Sequence, residues 1–136
     1  EIEELHTDTK DRRQFKGFTL LSAPLRHTGQ SIGFRIEDHS GNSLIYSGDT
    51  GYCEELVDLA RGAGLLILES AFPEGQGVEG HLTPSQAGEI ATHAGAARLV
   101  LTHFYPECLQ SDIEGQCRKT YQGELILATD LMRIKV

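Results

Sequence analysis

The stretch LIYSGDTGYCEELVDLA, residues 44–60, contains the transition that decides the fold. Its apolar run ends abruptly in the sequence GDTG at residues 48–51, and a helical pattern follows at once. Apolar residues then recur at helical spacing as far as Ala60, and Gly62 ends the pattern. The stretch therefore predicts a strand, a turn that carries Asp49, and a helix.

Asp49 has two interpretations at this position. An aspartate in a turn before a helix is common, because a carboxylate is favourable near a helix N-terminus. The same carboxylate, placed at the carboxyl end of a buried strand, is also suited to bind a ligand or a metal ion. The neighbouring elements decide between the two.

Strands are predicted on the N-terminal side of this stretch. Residues 16–23 and 31–37 have the composition of strands, and the loop between them carries His27. The turn-forming sequence DHSGN at residues 38–42 predicts a hairpin into a strand over 43–47.

Strands and helices alternate on the C-terminal side. Residues 65–68 form a continuous apolar run, which is typical of a strand covered on both faces. Thr83 is followed by a proline and, three residues later, by a glutamine, a capping box that predicts a helix ending at Gly95. The remaining elements are predicted to be a strand at 99–101, a helix near 109–121, and a closing hairpin formed by 124–128 and 131–135.

This order of elements predicts an α/β fold with a parallel or mixed sheet. Ligands bind such sheets beyond the carboxyl ends of the strands. Three successive strands end in Asp49, Glu69 and His103, so these side chains are expected at one edge of the sheet. Together they favour a functional site over an ordinary turn at Asp49.

The composition argues against some classes of protein. The chain has 136 residues, enough for one domain, and a formal net charge of −8. Because a negative surface repels phosphate backbones and no basic cluster is present, nucleic-acid binding is not expected. No apolar run is long enough for a membrane span, so no membrane association is expected. Residues 1–15 are charged and are expected to form a lead-in or linker, with the domain over 16–136.

The cysteines predict a reducing environment. Cys53, Cys108 and Cys117 are odd in number and lack the spacing of a zinc ribbon. Free, mostly buried thiols are therefore expected, and with them a cytoplasmic location.

Two further histidines extend the candidate site. His27 lies in the loop before the hairpin, and His81 lies in the glycine-rich approach to the capped helix. Neutral imidazoles and a carboxylate suit zinc, manganese or iron. A carboxylate can also bridge two metal ions. Two metal ions need more ligands than this chain supplies.

Four motifs together resemble a known family. They are PLRHTGQSIGFRI around His27, LIYSGDT around Asp49, GHLTPSQAGEIA at His81 and LVLTHFYP around His103. Their order and spacing are similar to those of the C-terminal half of metallo-β-lactamase-fold hydrolases, closest to the ribonuclease Z-like branch. The resemblance runs from about residue 17 to the end of the chain. It implies half of an αββα fold, a mixed sheet with helices packed on one face.

The resemblance also implies a role for each residue. His27 would be a ligand of the first metal, Asp49 would bridge the two metals, and His103 would complete the second site. His81 would orient the scissile group or pass a proton to the leaving group, with Glu69 as its partner. The residue before Glu69 is a leucine, where tRNA-processing members have a histidine. Two divalent metals, zinc or alternatively manganese or iron, are implied for the complete protein.

Part of the implied site lies outside this chain. The family's H-x-H-x-D-H sequence, which supplies two ligands to each metal, is absent from these residues. The chain is therefore expected to be a C-terminal half that is inactive or nearly inactive alone. One face of its sheet is expected to be covered by the missing N-terminal half or by a second copy of the chain.

The implied activity is hydrolysis of a small phosphodiester, ester or related small molecule by water that the metals activate. His27 and Asp49 are 22 residues apart, too few for the arm with which tRNA-processing members grip their substrate. A nuclease whose RNA grip lies in the missing half remains an alternative. A non-catalytic assembly module and an iron-containing redox protein of the same fold also remain alternatives.

Overall fold

Seven strands and four helices form the part of the chain that the structure describes. The structure is a computed structural model and describes residues 4–136. The strands are β1 (Asp11–Gln14), β2 (Phe18–Pro24), β3 (Ile32–Asp38), β4 (Ser43–Tyr46), β5 (Leu65–Glu69), β6 (Arg98–Thr102) and β7 (Glu124–Leu127). The helices are α1 (Glu54–Leu59), α2 (Pro84–Ala94), α3 (Pro106–Leu109) and α4 (Ile113–Arg118).

The strands form one mixed sheet in which they lie side by side in chain order. Strands β1 to β4 are antiparallel, and β4 to β7 are parallel. Helices connect the parallel strands, as the alternation in the sequence predicts. Because β4, β5 and β6 run in the same direction, their carboxyl ends meet at one edge of the sheet. The predicted α/β fold with a mixed sheet is confirmed.

The helices pack on one face of the sheet, which we call the inner face. Ile45, Leu66 and Leu99 are neighbours across β4, β5 and β6, and all three are fully buried. They belong to the same hydrophobic core as Leu56 of α1 and Ile90 of α2. Each such side chain contributes about 1.5–3 kcal/mol on burial. The core therefore joins the parallel strands to the helices, and the prediction of helices on one face is confirmed.

Helix α2 begins at the capping box that the sequence predicts. The Thr83 N–H donates to the Gln86 side-chain oxygen at 3.0 Å, and Thr83 Oγ1 accepts from the Gln86 N–H. Pro84 occupies the start of the helix, where a missing N–H costs nothing. Gly95 ends the helix with a φ of 66°. This cap fixes the chain immediately after His81, one of the predicted site residues.

A strand lies within the segment predicted to be a charged lead-in. Asp11–Gln14 form β1 and pair with β2 at the edge of the sheet. The expectation of a lead-in over residues 1–15 does not hold for these four residues. Backbone hydrogen bonds attach the strand, and charged side chains are common on edge strands because they discourage pairing with other chains. Residues 1–3 lie outside the described residues, and the domain boundary stays a prediction.

The helix expected near 109–121 is two short helices, α3 and α4. The chain breaks between them because Asp112 begins a new helix, its side chain accepting from the Gly115 N–H at 2.9 Å. The prediction of one helix that spans 109–121 is wrong in its extent, although α4 lies inside that interval.

The predicted closing hairpin is also wrong. β7 pairs with β6 in parallel, and residues 131–135 form no strand. Leu131 has a φ of 62°, which turns the chain out of an extended conformation. The Arg98 guanidinium donates to the Lys135 carbonyl oxygen at 2.9 Å. This contact holds the last residues near the start of β6 instead of beside β7.

The cysteines are free thiols, as predicted. Cys108 and Cys117 are buried, and Cys53 is half-buried. Burial raises the pKa of Cys117 to about 11. The reducing compartment and the cytoplasmic location inferred from these thiols stay predictions.

Candidate metal centre at the strand ends

Asp49, His81 and His103 form a cluster at the edge of the sheet. Each offers one donor atom, and the three atoms lie within 4.8 Å of one another. Asp49 lies just beyond the end of β4, His103 follows β6 directly, and His81 precedes the cap of α2. The parallel strands thus bring Asp49 and His103 together, as the strand-end argument predicts.

The geometry of this cluster suits a small divalent metal ion. His103 Nε2 lies 3.5 Å from Asp49 Oδ1. Ligands about 2.0–2.1 Å from a tetrahedral zinc ion would be about 3.4 Å from each other. Two imidazoles and a carboxylate are also donors that zinc and related ions accept. The described residues therefore fit part of a metal site.

His103 is held in a strained backbone conformation. Its φ is 60°, in the left-handed region that residues other than glycine rarely adopt. Such strain persists where the surrounding structure fixes it, and it is concentrated at functional sites. The conformation turns the chain sharply at the end of β6.

Glu69 is a buried carboxylate whose hydrogen bonds are satisfied by protein groups. Its side chain is 2% exposed. Oε1 accepts from the Thr50 N–H at 2.9 Å, and Oε2 accepts from the N–H groups of Ala71 at 3.1 Å and Leu82 at 3.2 Å. His81 Nδ1 donates to Oε1 at 2.7 Å. Because all these bonds converge on one carboxylate, Glu69 is locked in place beside the cluster.

The bond to Glu69 fixes the ring of His81. Since the carboxylate accepts, Nδ1 is the donor and carries a proton. Nε2 is therefore the nitrogen left to bind a metal ion or exchange a proton. The pairing of His81 with Glu69, implied by the family resemblance, is present in the structure. The catalytic roles assigned to both residues stay predictions.

His27 lies beside the cluster but is not one of its three members. Its ring meets the His81 ring edge-on, with 4.8 Å between the centroids. Its Nδ1 donates to the Gly80 carbonyl oxygen at 3.0 Å, which again leaves Nε2 free. Histidine ligands commonly donate their other ring N–H to a backbone carbonyl. The predicted role of His27 as a metal ligand therefore stays a prediction, and its orientation suits that role.

Gly80 allows the close approach of His27. It has a φ of 85°, and an added Cβ would lie 3.0 Å from His27 Nδ1. A side chain here would be strained and would crowd the imidazole. The glycine is thus required for the contact that orients His27.

Two aromatic side chains, Phe72 and Tyr105, lie beside the cluster. Tyr105 lies 5.3 Å from His103 and 4.8 Å from Phe72 between ring centroids, and Phe72 lies 5.7 Å from His81. The sequence analysis did not single out Phe72 or Tyr105. Their positions three residues after Glu69 and two after His103 were the available signal, because residues just beyond strand ends lie at the same edge.

A pocket of about 370 Å³ opens next to His81. Arg26, Tyr52 and Gln86 line it together with the glycine-rich segment 74–80. Burial and the nearby carboxylate of Glu54 raise the pKa of Tyr52, so its phenol stays protonated at neutral pH. The sequence analysis did not identify Arg26 or Tyr52 as site residues, because nothing in a local pattern shows which loops meet.

Comparison with known proteins identifies the family. Residues 2–104 match the family described as Beta-lactamase superfamily domain. The chain therefore belongs to the beta-lactamase superfamily, as its motifs suggest.

Relatives extend this likeness. An uncharacterized protein of Mycobacterium tuberculosis is 36% identical over 107 residues, which are 77% of this chain and 39% of that protein. Ribonuclease Z of Streptomyces avermitilis is 37% identical over 122 residues, 82% of this chain and 40% of the relative. The chain thus spans about two fifths of the length of these relatives.

Solved structures share the fold. The metallo-beta-lactamase fold protein YhfI from Bacillus subtilis matches with a TM-score of 0.79 and 28% identity, over 87% of this chain and 49% of that one. The short form of human tRNase Z matches with a TM-score of 0.71 and 28% identity, over 90% of this chain and 45% of that one. The expectation that the chain does not bind nucleic acid stays a prediction.

No helix within residues 4–136 combines the length and the apolar character that crossing a membrane requires.

Proposed function

We propose that the protein carrying this chain is a metal-dependent hydrolase of small phosphodiesters or related esters. The observation that carries this proposal is the arrangement of Glu69, His81, Asp49 and His103 at one sheet edge. A buried carboxylate orients one imidazole, and that imidazole lies beside a second imidazole and a second carboxylate. Such an arrangement suits acid–base and metal chemistry at one position.

Asp49 and His103 are proposed to hold metal at the strand ends, with His27 as a further ligand. A divalent ion there, zinc or alternatively manganese or iron, would polarise the scissile group and lower the pKa of a water molecule. The remaining ligands of a two-metal centre are proposed to lie in a half of the fold that these residues do not contain. The chain alone is therefore expected to show little or no activity.

His81 is proposed to orient the scissile group or to carry the proton to the leaving group. Glu69 accepts a hydrogen bond from the Nδ1–H of His81, so Nε2 is the nitrogen available for this role. Glu69 itself is a positioning residue, because its oxygens are occupied by three backbone N–H groups and the imidazole.

A ribonuclease Z-like nuclease is the second candidate. The identity of 37% to ribonuclease Z of Streptomyces avermitilis favours it. The short separation of His27 and Asp49 and the net charge of −8 favour the small substrate instead. A non-catalytic module of the same fold would bind no metal tightly.

The test uses the full-length natural protein that carries this chain. We expect it to bind about two metal ions and to hydrolyse bis(4-nitrophenyl) phosphate. Asp49→Ala and His103→Ala should abolish metal binding and hydrolysis. Glu69→Gln should lower kcat about 10- to 100-fold and keep the bound metal. Metal content by mass spectrometry and steady-state rates measure these effects, and a visible or paramagnetic iron signal would indicate the redox alternative.

Unchanged activity in both Asp49→Ala and His103→Ala would overturn the site assignment. Glu89→Ala is the control, because Glu89 is exposed on α2 and should leave rate and metal content unchanged. Faster cleavage of precursor tRNA than of the small diester would favour the nuclease.

A further inference from the structure

We propose that Arg26 binds the negatively charged phosphoryl group of the substrate, and that Glu79 competes with this group for the guanidinium in the free protein. The inference rests on the proposed function, because it specifies an anionic ester as the substrate class of the same site.

The backbone of Arg26 is tied to the turn that carries Asp49. Its N–H donates to Thr50 Oγ1 at 3.2 Å, and its carbonyl oxygen accepts from the Gly51 N–H at 2.8 Å. His27, whose ring contacts His81, is the next residue. The backbone of Arg26 is therefore held at a fixed distance from the cluster of candidate metal ligands, while its side chain extends into solvent.

The side chain of Arg26 has a weak partner. Its Nη2 lies 3.5 Å from Glu79 Oε1, and the two side chains are 65% and 89% exposed. An exposed ion pair of this kind adds little stability. A phosphoryl group offers two oxygens to the planar guanidinium in bidentate geometry, which is a stronger interaction. The substrate can therefore displace Glu79 at small cost.

The pocket brings Arg26 and one member of the cluster, His81, to the same space. Arg26 and His81 both line the same space of about 370 Å³, so one small molecule can contact both. Among the residues that line it in the described part of the chain, Arg26 is the one Arg or Lys, and Glu74 and Glu79 are acidic. Glu74 already accepts from the Ser85 hydroxyl. Glu79 is thus the acid that faces Arg26, and a chain of net charge −8 needs this cation to admit an anion.

Glu79 lies on an exposed segment of the chain that can move. Residues 74–79 are all exposed, and glycines at 75 and 77 interrupt the segment. Movement of this carboxylate away from Arg26 breaks no buried contact. When the phosphoryl group enters the pocket, the ion pair between Arg26 and Glu79 would be replaced by one between Arg26 and the substrate.

The test compares a charged and a neutral substrate in the full-length protein. With bis(4-nitrophenyl) phosphate, Arg26→Gln should raise KM about 10- to 100-fold and leave kcat within about threefold, as expected for loss of a charged hydrogen bond used in binding. With neutral 4-nitrophenyl acetate, the same variant should match the wild type. With the diester, the KM of Arg26→Lys should lie between the values of the wild type and Arg26→Gln. Glu79→Gln should have a lower KM for the diester than the wild type.

Arg61→Gln is the matched control. Arg61 is also exposed and also pairs with one acid, Asp58, at 2.8 Å. Its replacement changes the net charge by the same amount, so an unchanged KM would exclude a general charge effect. Arg26→Gln should also keep the wild-type Tm, because the Arg26 side chain is 65% exposed and its ion pair adds little stability.

Direct binding separates this inference from the proposed function. Inorganic phosphate, added to metal-free ¹⁵N-labelled protein, should shift the guanidinium Nε–H signal of Arg26. If the wild type hydrolyses the diester and Arg26→Gln has an unchanged KM, the proposed function stands and the Arg26 inference is overturned. If neither ester is hydrolysed, the proposed function fails. In that case a shift of the Arg26 signal still supports the anion site, and its absence overturns it.

Discussion

Glu69 connects three segments of the chain at the scale of single residues. It accepts from Thr50 in the turn after β4, from Ala71 after β5, and from Leu82 and His81 before α2. A buried carboxylate without such donors would be costly. The same bonds that satisfy Glu69 therefore also set the position of the loops that carry Asp49 and His81.

His103 gives a prediction at this scale. Its φ of 60° costs a residue with a Cβ about 1–2 kcal/mol, and glycine avoids that cost. We expect the free energy of unfolding of His103→Gly in urea to exceed that of His103→Ala by about 1 kcal/mol, although both variants lack the imidazole. At Thr102, which lies in β6, the order should reverse, with alanine more stable than glycine. An equal or lower stability of His103→Gly would show that the backbone there is not strained.

The sequence predicted part of the site because strand ends obey a simple rule. Asp49 and His103 follow two parallel strands and Glu69 ends the strand between them, so their shared location could be inferred from the order of elements. The contribution of Phe72 and Tyr105 could not, since ring contacts depend on how two loops pack.

Helices α2 and α4 approach each other closely at Gly88, which gives a prediction at the scale of elements. A Cβ at this position would lie 2.8 Å from the Cys117 carbonyl oxygen and would also clash with the Thr120 hydroxyl. Alanine normally stabilises a helix interior by about 1 kcal/mol relative to glycine. Here we expect Gly88→Ala to lower the free energy of unfolding by about 1–3 kcal/mol, because overpacking outweighs that gain.

Chemical denaturation measures this effect, and Glu89→Ala is the control on the next, exposed position of α2. It should change stability by less than about 0.5 kcal/mol. A Gly88→Ala variant as stable as the wild type would mean that α4 can move away from α2.

Element boundaries were predictable where a local signal exists. The capping box at Thr83 and the turn at residues 38–42 placed α2 and the β3–β4 hairpin correctly. Asn42 donates to Asp38 in that turn, which lowers the pKa of Asp38. Strand β1 had no such signal, because backbone pairing with β2 rather than an apolar pattern holds it.

The sheet face opposite the helices is the main feature at the scale of the whole molecule. We call it the outer face. Phe34, Ile36, Leu44, Tyr46 and Ile67 are neighbours on it through the pairing of β3, β4 and β5. None of them is fully buried, and Tyr46 is 47% exposed. Contiguous apolar surface of more than a few hundred Å² commonly marks an interaction surface.

We expect the outer face to be covered by the remaining part of the fold, since this chain spans 49% of YhfI and about two fifths of its longer relatives. The 136-residue chain alone should therefore enhance the fluorescence of an apolar dye. Tyr46→Lys should reduce that fluorescence, because a charge then lies in the middle of the apolar surface. Val78→Lys is the matched control, since Val78 is 48% exposed but lies on the glycine-rich segment away from the sheet.

Analytical ultracentrifugation identifies what covers the face in the isolated chain. A dimer that Tyr46→Lys dissociates, and Val78→Lys does not, would mean that a second copy occupies the surface. Dye binding that appears when the wild-type dimer is diluted to monomers would confirm that the same surface is involved. A wild-type monomer without dye binding would contradict the prediction, because the outer face would then be stable in water without a partner.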